Sequence, residues 1–140
     1  MLASFKSIQG SGASISERRI VNLSRMLAHL VSEFHLPLAV LKPLDVGEMP
    51  NALVLFLATF FLALFTAQVP DGTFSSIFDR VSTTKDFSAV KGVILYFLNK
   101  HFTDVPEGFS PEDSKAIKKR RKKAIKALEA MEVLEYAHEI

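Results

Sequence analysis

The sequence predicts an all-α domain, and three features carry that prediction. Apolar residues recur at helical spacing in most segments, whereas no segment alternates apolar and polar residues over a useful length. Connectors that contain proline or glycine separate these segments. With 140 residues, of which 49% are hydrophobic, the chain is long enough to bury one core. We expect five principal helices and one short one, joined by connectors that favour antiparallel neighbours.

The first helix is predicted to begin near Ser14 or Ser16, because residues 14–17 have the spacing of a capping box. It is expected to end near His35, because Pro37 disfavours helical geometry in the residue before it. A short helical turn over 38–41 follows. The apolar side of the first helix, expected to face the core, consists of Ile20, Leu23, Leu27, Leu30, Val31 and Phe34.

Residues 51–70, NALVLFLATFFLALFTAQVP, contain no charge at all. Their length and hydropathy fit a single membrane span of about 20 residues, which is one alternative for this chain. However, the flanking Glu48 and Asp71 are not interfacial anchors, and the polar Asn51 and Gln68 shorten the apolar part. The amphipathic neighbours also need an apolar surface to pack against. We therefore predict that the run is the buried central helix of the domain.

Three more helices are predicted after this run. Asp71-Gly72-Thr73 is expected to cap the first of them, Asp86 the second, and Ser110 the last, with Pro111 at its first position. The apolar positions of the first two are Phe74, Ile77, Phe78 and Val81, then Phe87, Val90, Ile94, Leu98 and Phe102. The predicted organisation is a flexible lead-in over 1–13, a helical domain over 14–105, a linker over 106–110 and a basic-to-acidic helix over 111–140.

The residues that usually carry catalysis or bind metals form no recognisable motif in this chain. It contains no cysteine, which excludes a disulfide framework and a thiolate zinc site. Gly10-Ser11-Gly12 is not followed by the Gly-Lys-Ser/Thr of a phosphate loop. No histidine has neighbours at i+3 or i+4 that complete a metal site; the four are His29, His35, His101 and His138. We predict that the protein is not an enzyme and has neither a metal nor a cofactor.

The net charge of +2 conceals a strongly basic cluster near the C-terminus. Six consecutive cations at 118–123 repel one another in a helix, so an anionic partner would stabilise them, either RNA phosphate or the acidic groove of an importin. No aromatic residue lies inside this run, so we expect phosphate contact without base readout. The candidate residues for RNA binding or nuclear localisation are Lys115, Lys118, Lys119, Arg120, Arg121, Lys122, Lys123 and Lys126.

Two other surfaces are candidates for contacts with partners. A second, smaller basic surface on the first helix is formed by Arg18, Arg19 and Arg25, and a solvated helix face is an equally good interpretation of it. After the basic cluster the last helix becomes acidic and carries an apolar stripe over 127–134. We expect that stripe to return to the helical domain or to contact a partner protein.

Several segments together resemble one family. They are Arg-Arg-Ile-Val-Asn-Leu at 18–23 with Leu27 and Leu30 on the same face, Leu-Pro-Leu-Ala-Val-Leu-Lys at 36–42, and Leu-Phe-Leu at 55–57. The stretch 16–102 resembles the C-terminal MA-three domain of nucleolar MIF-four-G proteins, the Sgd-one-like small-subunit ribosome-biogenesis factors. The resemblance implies a HEAT-like array of antiparallel helix pairs without catalytic activity.

The same resemblance implies a place in the nucleus, in the nucleolar small-subunit pre-ribosome (the small-subunit processome), and a role in 18S rRNA maturation. The implied partners are pre-ribosomal RNA and small-subunit processome proteins, with a DEAD-box RNA helicase as a further partner that such a domain would bind and regulate. Family members carry a MIF-four-G domain and earlier helix pairs upstream. A chain that begins at Met1 lacks these, so we expect an exposed apolar face on its first helix.

Overall fold

The computed structural model describes residues 15–41, 51–83 and 87–139, and all regular structure in these ranges is helical. The five α-helices pack against one another, which confirms the predicted all-α class. Two short 3-10 helices cover Leu38–Leu41 and Arg80–Thr83. The α-helices are α1 (Ile15–Ser32), α2 (Asn51–Phe65), α3 (Asp71–Asp79), α4 (Phe87–Lys100) and α5 (Pro111–Glu139).

Helix α2 is the centre of the core, as the uncharged run predicts. Leu57, Phe60 and Phe61 are completely buried, and the other helices surround them. The helix ends at Phe65, so the last five residues of the run form a connector to α3. Within the described ranges, no helix combines the length and the apolar character needed to cross a membrane.

The phenylalanines form a continuous aromatic cluster around α2. Phe61 stacks on Phe97 of α4 at a centroid distance of 5.7 Å, and Phe65 meets the edges of Phe74 and Phe102 at 5.8 and 5.6 Å. Offset and edge-to-face contacts of this kind each add about 1 kcal/mol beyond the burial of apolar area. This cluster joins α2, α3 and α4 into one core.

The core-facing side of α1 differs from the predicted one. The buried positions are the smaller Val21, Ser24, Ala28, Val31 and Ser32, of which only Val31 was predicted, and α1 packs on α2 more extensively than on any other helix. Small side chains allow α1 to approach the bulky phenylalanines of α2 closely, and the Ser24 hydroxyl is satisfied because it donates to the Val21 carbonyl at 2.9 Å. The prediction that Leu23 faces the core is therefore wrong.

Four of the predicted apolar residues of α1, together with Met26, instead form an outer surface, which we call the α1 apolar stripe: Ile20, Leu23, Met26, Leu27 and Leu30, of which Leu27 also packs partly against the core. Leu23 and Met26 are 48% and 52% exposed, and the other three are half-buried. The expected exposed apolar face of the first helix is thus present. Among the predicted core positions of α1, only Val31 is fully buried.

Helix α1 ends in a Schellman motif, which its sequence does not indicate because no glycine occupies the left-handed position. Phe34 has a φ of 61°, its N–H donates to the Val31 carbonyl at 3.1 Å, and the His35 N–H donates to the Leu30 carbonyl at 2.8 Å. Glycine usually occupies this left-handed position, because a side chain is strained there. The Arg80 guanidinium lies 4.0 Å from the centre of the Phe34 ring and packs over it.

The predicted apolar positions of α3 and α4 are buried wherever the structure describes their side chains. The expected Asp71 cap is wrong, because Pro70 precedes the first turn of α3 and no side chain of the described residues caps it. Asp71 instead lies in that first turn, where a carboxylate interacts favourably with the helix dipole. The expected cap at Asp86 lies outside the described residues.

Helix α5 belongs to the same core, with Ile117, Ala124 and Leu128 fully buried against α2, α3 and α4. Its predicted start is confirmed, since the Asp113 N–H donates to the Ser110 hydroxyl at 3.1 Å. The apolar stripe of its acidic half also returns to the domain at Met131. Helix α5 is therefore a built-in part of the domain as far as that residue.

Candidate nucleic-acid interface

The basic cluster of α5 is divided among three sides of one helix. The buried Ile117, Ala124 and Leu128 recur at seven and four residues and define the side that faces the core. Each residue is rotated by about 100° from the one before it, so consecutive cations must point to different surroundings. Two of the eight candidate residues flank the core, two lie near Asp71, and four point outward.

Arg120 caps the C-terminal end of the buried helix α2. Its guanidinium donates to the carbonyls of Ala67 and Val69 at 2.8 and 2.7 Å, and to that of Phe65 at 3.3 Å. It also lies 4.9 Å from the centre of the Phe74 ring, and its side chain is only 12% exposed. These carbonyls lack partners within a helix, and a planar cation with several donors can satisfy them together.

Arg121 does the same for α4. Its Nε donates to the carbonyl of Phe102 at 2.6 Å, and its Nη2 donates to that of Leu98 at 3.0 Å. A cation near these carbonyls also offsets the partial negative charge at the C-terminal end of a helix. The two neighbouring arginines therefore fix α5 to the C-terminal ends of two different helices, α2 and α4.

Lys119 and Lys123 lie on the side of α5 that faces the start of α3. Their ammonium groups are 3.9 and 3.5 Å from the Asp71 carboxylate, and the Arg120 guanidinium is 3.6 Å from it. The positive charge of Lys123, helped by Lys119 and Arg120, lowers the pKa of Asp71 below its ordinary value, although some desolvation opposes it. Since Asp71 is exposed, these pairs hold the lysines in place but add little stability.

The remaining four candidates form what we call the lysine stripe: Lys115, Lys118, Lys122 and Lys126. All four are exposed. Their spacings of three, four and four residues place them on one face of α5, opposite the buried Ala124. At a rise of about 1.5 Å per residue, the stripe extends about 16 Å along the helix. It is a row of flexible point charges directed at the solvent.

The remaining candidates are the basic residues of α1 and the residue types that bind metals. Arg18, Arg19 and Arg25, the second basic surface, are all exposed on α1. Arg25 also lines a small cavity at the edge of the contact with α2, next to Ala63. Within the described part of the chain, no group of three or more histidine and carboxylate side chains is arranged to hold a metal ion.

The separate role of the two arginines could have been found from the sequence. The apolar positions 117, 124, 128 and 131 continue the core-facing side of α5 through the basic run, which places residues 120 and 121 on its inner flanks. These two positions are also the only arginines among the eight candidates. Arginine suits multidentate contacts with carbonyls better than lysine does.

Comparison of the chain with protein-family models, with curated proteins and with solved structures finds no match. The functional assignment therefore depends on the residues and their geometry, together with the resemblance in the sequence.

Proposed function

We propose that this chain is a non-catalytic, all-helical scaffold module that binds precursor ribosomal RNA through phosphate contacts. Its place of action is the nucleolar small-subunit pre-ribosome, where it contributes to 18S rRNA maturation. The lysine stripe is the observation that carries the RNA contact. The placement in the pre-ribosome, and the HEAT-like arrangement of its helices, rest on the resemblance of residues 16–102 to MA-three domains.

The lysine stripe has the properties that a phosphate backbone requires. Its ammonium groups are exposed point charges on long stems, which suits contacts that must tolerate any sequence. The row of about 16 Å is long enough to meet several consecutive phosphates, which lie closer together than that along a strand. The rest of α5 is anchored in the core through Arg120 and Arg121, so the lysines are presented from a rigid support.

The salt dependence of RNA binding tests this proposal. The double variant Lys118→Ala/Lys122→Ala removes two ammonium groups of the stripe and leaves both anchoring arginines in place. Each phosphate contact to a single strand contributes about 0.7 to the slope of log K against log salt, so we expect the slope to fall by about 1.4. Affinity at low salt should fall for every RNA sequence.

The matched control is Arg19→Ala/Arg25→Ala, which removes the same net charge from α1. We expect this variant to keep the slope of the unaltered protein. Equal slopes for the lysine variant and the unaltered protein would refute the RNA role of the stripe. If the slope decreased equally in both double variants, net charge alone, and not the lysine stripe, would attract RNA.

The place of action is tested by fractionating cells that express the tagged chain. We expect the chain to sediment with large, RNase-sensitive particles that contain small-subunit precursor RNA, and to be concentrated in the nucleolus. Sedimentation as a small species, or recovery in floating membranes, would contradict the proposed scaffold. Loss of nuclear accumulation in the lysine variant, with RNA binding intact, would instead assign the stripe to an importin.

The α1 apolar stripe supports a second candidate function, an adaptor that binds and regulates a DEAD-box RNA helicase. Leu23 and Met26 form an exposed apolar surface, and the exposed Arg19, four residues before Leu23, lies on the same face. Its chemistry fits an amphipathic helix with acidic residues along the edges of its apolar face. The expected result is a changed rate of ATP turnover by the helicase, and its loss in Leu23→Ser/Met26→Ser. An unchanged rate with the unaltered chain would exclude this function.

A further inference from the structure

An open groove of about 770 Å³ lies between α4 and α5 and has no role in the phosphate contacts proposed above. Its lining residues are Leu95, Tyr96, Asn99, Lys100 and Glu129. Tyr96 is one of the few large apolar or aromatic side chains exposed in the described part of the chain, at 36%. The fully buried phenylalanines belong to the aromatic cluster of the core, whereas the Tyr96 ring reaches the surface, as Phe34 does.

The groove lies beside the lysine stripe. Arg121 reaches the Leu98 carbonyl, and Glu129, further along α5, lines the groove with the earlier residues Leu95 and Tyr96, so α4 and α5 run antiparallel here. Glu129 follows Lys126 by three residues and continues the same face of α5. A strand whose phosphates follow the stripe therefore passes the mouth of the groove.

The side chains in the groove match a neutral, planar, hydrogen-bonding ligand. The Lys100 ammonium lies over one face of the Tyr96 ring at 5.8 Å, and the His101 ring makes an edge-to-face contact with it at 6.0 Å, so a planar ligand would stack on the opposite face. The Asn99 amide can donate and accept hydrogen bonds, and the Glu129 carboxylate accepts them. That carboxylate also repels phosphate, so the negative backbone is kept on the lysine stripe and away from the groove.

We propose that this groove binds a nucleobase of single-stranded RNA, with Tyr96 as its stacking surface. The inference rests on the proposed function and narrows it, because a base can enter the groove only when it is unstacked and unpaired. The absence of aromatic residues inside the basic run predicts no base contact from α5. Here the aromatic surface comes from α4, which the fold places beside the run.

The test compares an oligouridylate with an abasic ribose–phosphate strand of the same length. Base stacking on an aromatic side chain strengthens binding by about five-fold or more per base, so the unaltered protein should prefer the oligouridylate by at least that factor. Tyr96→Leu keeps an apolar side chain at the site and should remove the preference. The slope against salt should not change, because no phosphate contact is lost.

Tyrosine fluorescence gives an independent measurement. The chain has no tryptophan and two tyrosines, so Tyr136→Phe leaves Tyr96 as the only strong fluorophore. The oligouridylate should quench this emission and the abasic strand should not. Matching urea unfolding curves for Tyr96→Leu and the unaltered protein would serve as the check on folding.

The outcomes separate the two proposals. If both strands bind equally and the fluorescence does not change, the base site is refuted while phosphate binding by the lysine stripe stands. If neither strand binds, both proposals fail. If duplex RNA of equal length binds more tightly than the oligouridylate, a single-stranded ligand is excluded.

Discussion

Replacement of Arg120 tests whether the basic run serves the fold as well as the ligand. Arg120→Ala removes the donors that satisfy the carbonyls of Phe65, Ala67 and Val69. Arg120→Lys keeps the positive charge but replaces a planar group with several donors by a single ammonium. A comparison of the two separates the charge from the geometry of the contact.

The expected change in the free energy of unfolding follows from the hydrogen bonds and the ring contact of Arg120. Loss of the 2.7 Å bond removes the Arg120 donor from the Val69 carbonyl, at about 1–2 kcal/mol. Loss of the 2.8 Å bond costs about 1 kcal/mol, because the Ala67 carbonyl still accepts from the Val69 N–H at 2.9 Å. The contact with the Phe74 ring adds about 0.5 kcal/mol, whereas the exposed Asp71 pair adds little. We expect Arg120→Ala to lower the free energy of unfolding by about 3 kcal/mol, and Arg120→Lys by about half as much.

Urea unfolding followed by far-ultraviolet circular dichroism measures these changes, with an unchanged m-value as the condition for comparing them. Lys122→Ala is the matched control, because Lys122 belongs to the outward lysine stripe; its effect should stay within about 0.5 kcal/mol. If Arg120→Lys were as stable as the unaltered protein, charge alone would suffice and the capping geometry would be irrelevant. If Arg120→Ala had no effect, α5 would not depend on this contact.

Three further changes test other features of the fold. Thr59 is buried in α2 and, among the described residues, its hydroxyl has no hydrogen-bond partner. Thr59→Val should therefore raise the free energy of unfolding in urea by about 1 kcal/mol. A lower free energy of unfolding would refute this expectation. Phe34→Gly should be more stable than Phe34→Ala by about 1 kcal/mol. Both variants lose the Arg80 contact, but only glycine adopts the positive φ without strain. Equal urea midpoints for the two variants would show that the backbone at residue 34 is not strained. The pKa of Asp71 is lowered in the folded protein, so its stabilising contribution is present above about pH 4 and disappears as the pH falls through the folded pKa. The urea midpoint of Asp71→Asn should therefore lie below that of the unaltered protein at about pH 6 and approach it near pH 2, and a constant difference would exclude this linkage.

The helical class could be predicted from the periodicity, and the central position of α2 from the surroundings of the uncharged run. That run also fits a membrane span, but its flanking residues and its amphipathic neighbours favour burial in a core. The apolar positions of α3 and α4, such as Phe74 and Ile94, each lie in a single stripe, and both are fully buried. In these helices the periodicity alone identifies the face that packs.

The core-facing side of α1 could not be predicted in the same way, because its sequence contains two possible packing faces. One carries Leu23 and Leu30, and the other carries the smaller Ser24 and Ala28. Hydrophobicity favours the first face, but the bulk of the α2 phenylalanines favours the second, and only the three-dimensional fit decides between them. The positive φ of Phe34 could not be predicted either, because no glycine follows the end of the helix.

The candidate interface was predicted as a set of residues but not as an arrangement. The count of cations identified the cluster, whereas the division into Arg120, Arg121 and the lysine stripe depends on which side of α5 faces the core. The groove at Tyr96 joins two helices that are far apart in the sequence, so no local pattern contains it.

The anchoring by Arg120 and Arg121 makes the order of residues in the basic run as important as their number. A disordered basic tail that contacts phosphate tolerates reshuffling, because its binding depends on its charge and not on a helical phase. In α5, exchanging Arg120 with Lys122 would preserve the composition but would place an ammonium group at the α2 carbonyls. Inserting one residue before Lys118 would rotate the whole run by about 100° relative to Ile117 and displace both arginines together. The helical phase therefore limits which exchanges and insertions this segment tolerates, and a score of basic content alone does not contain that limit.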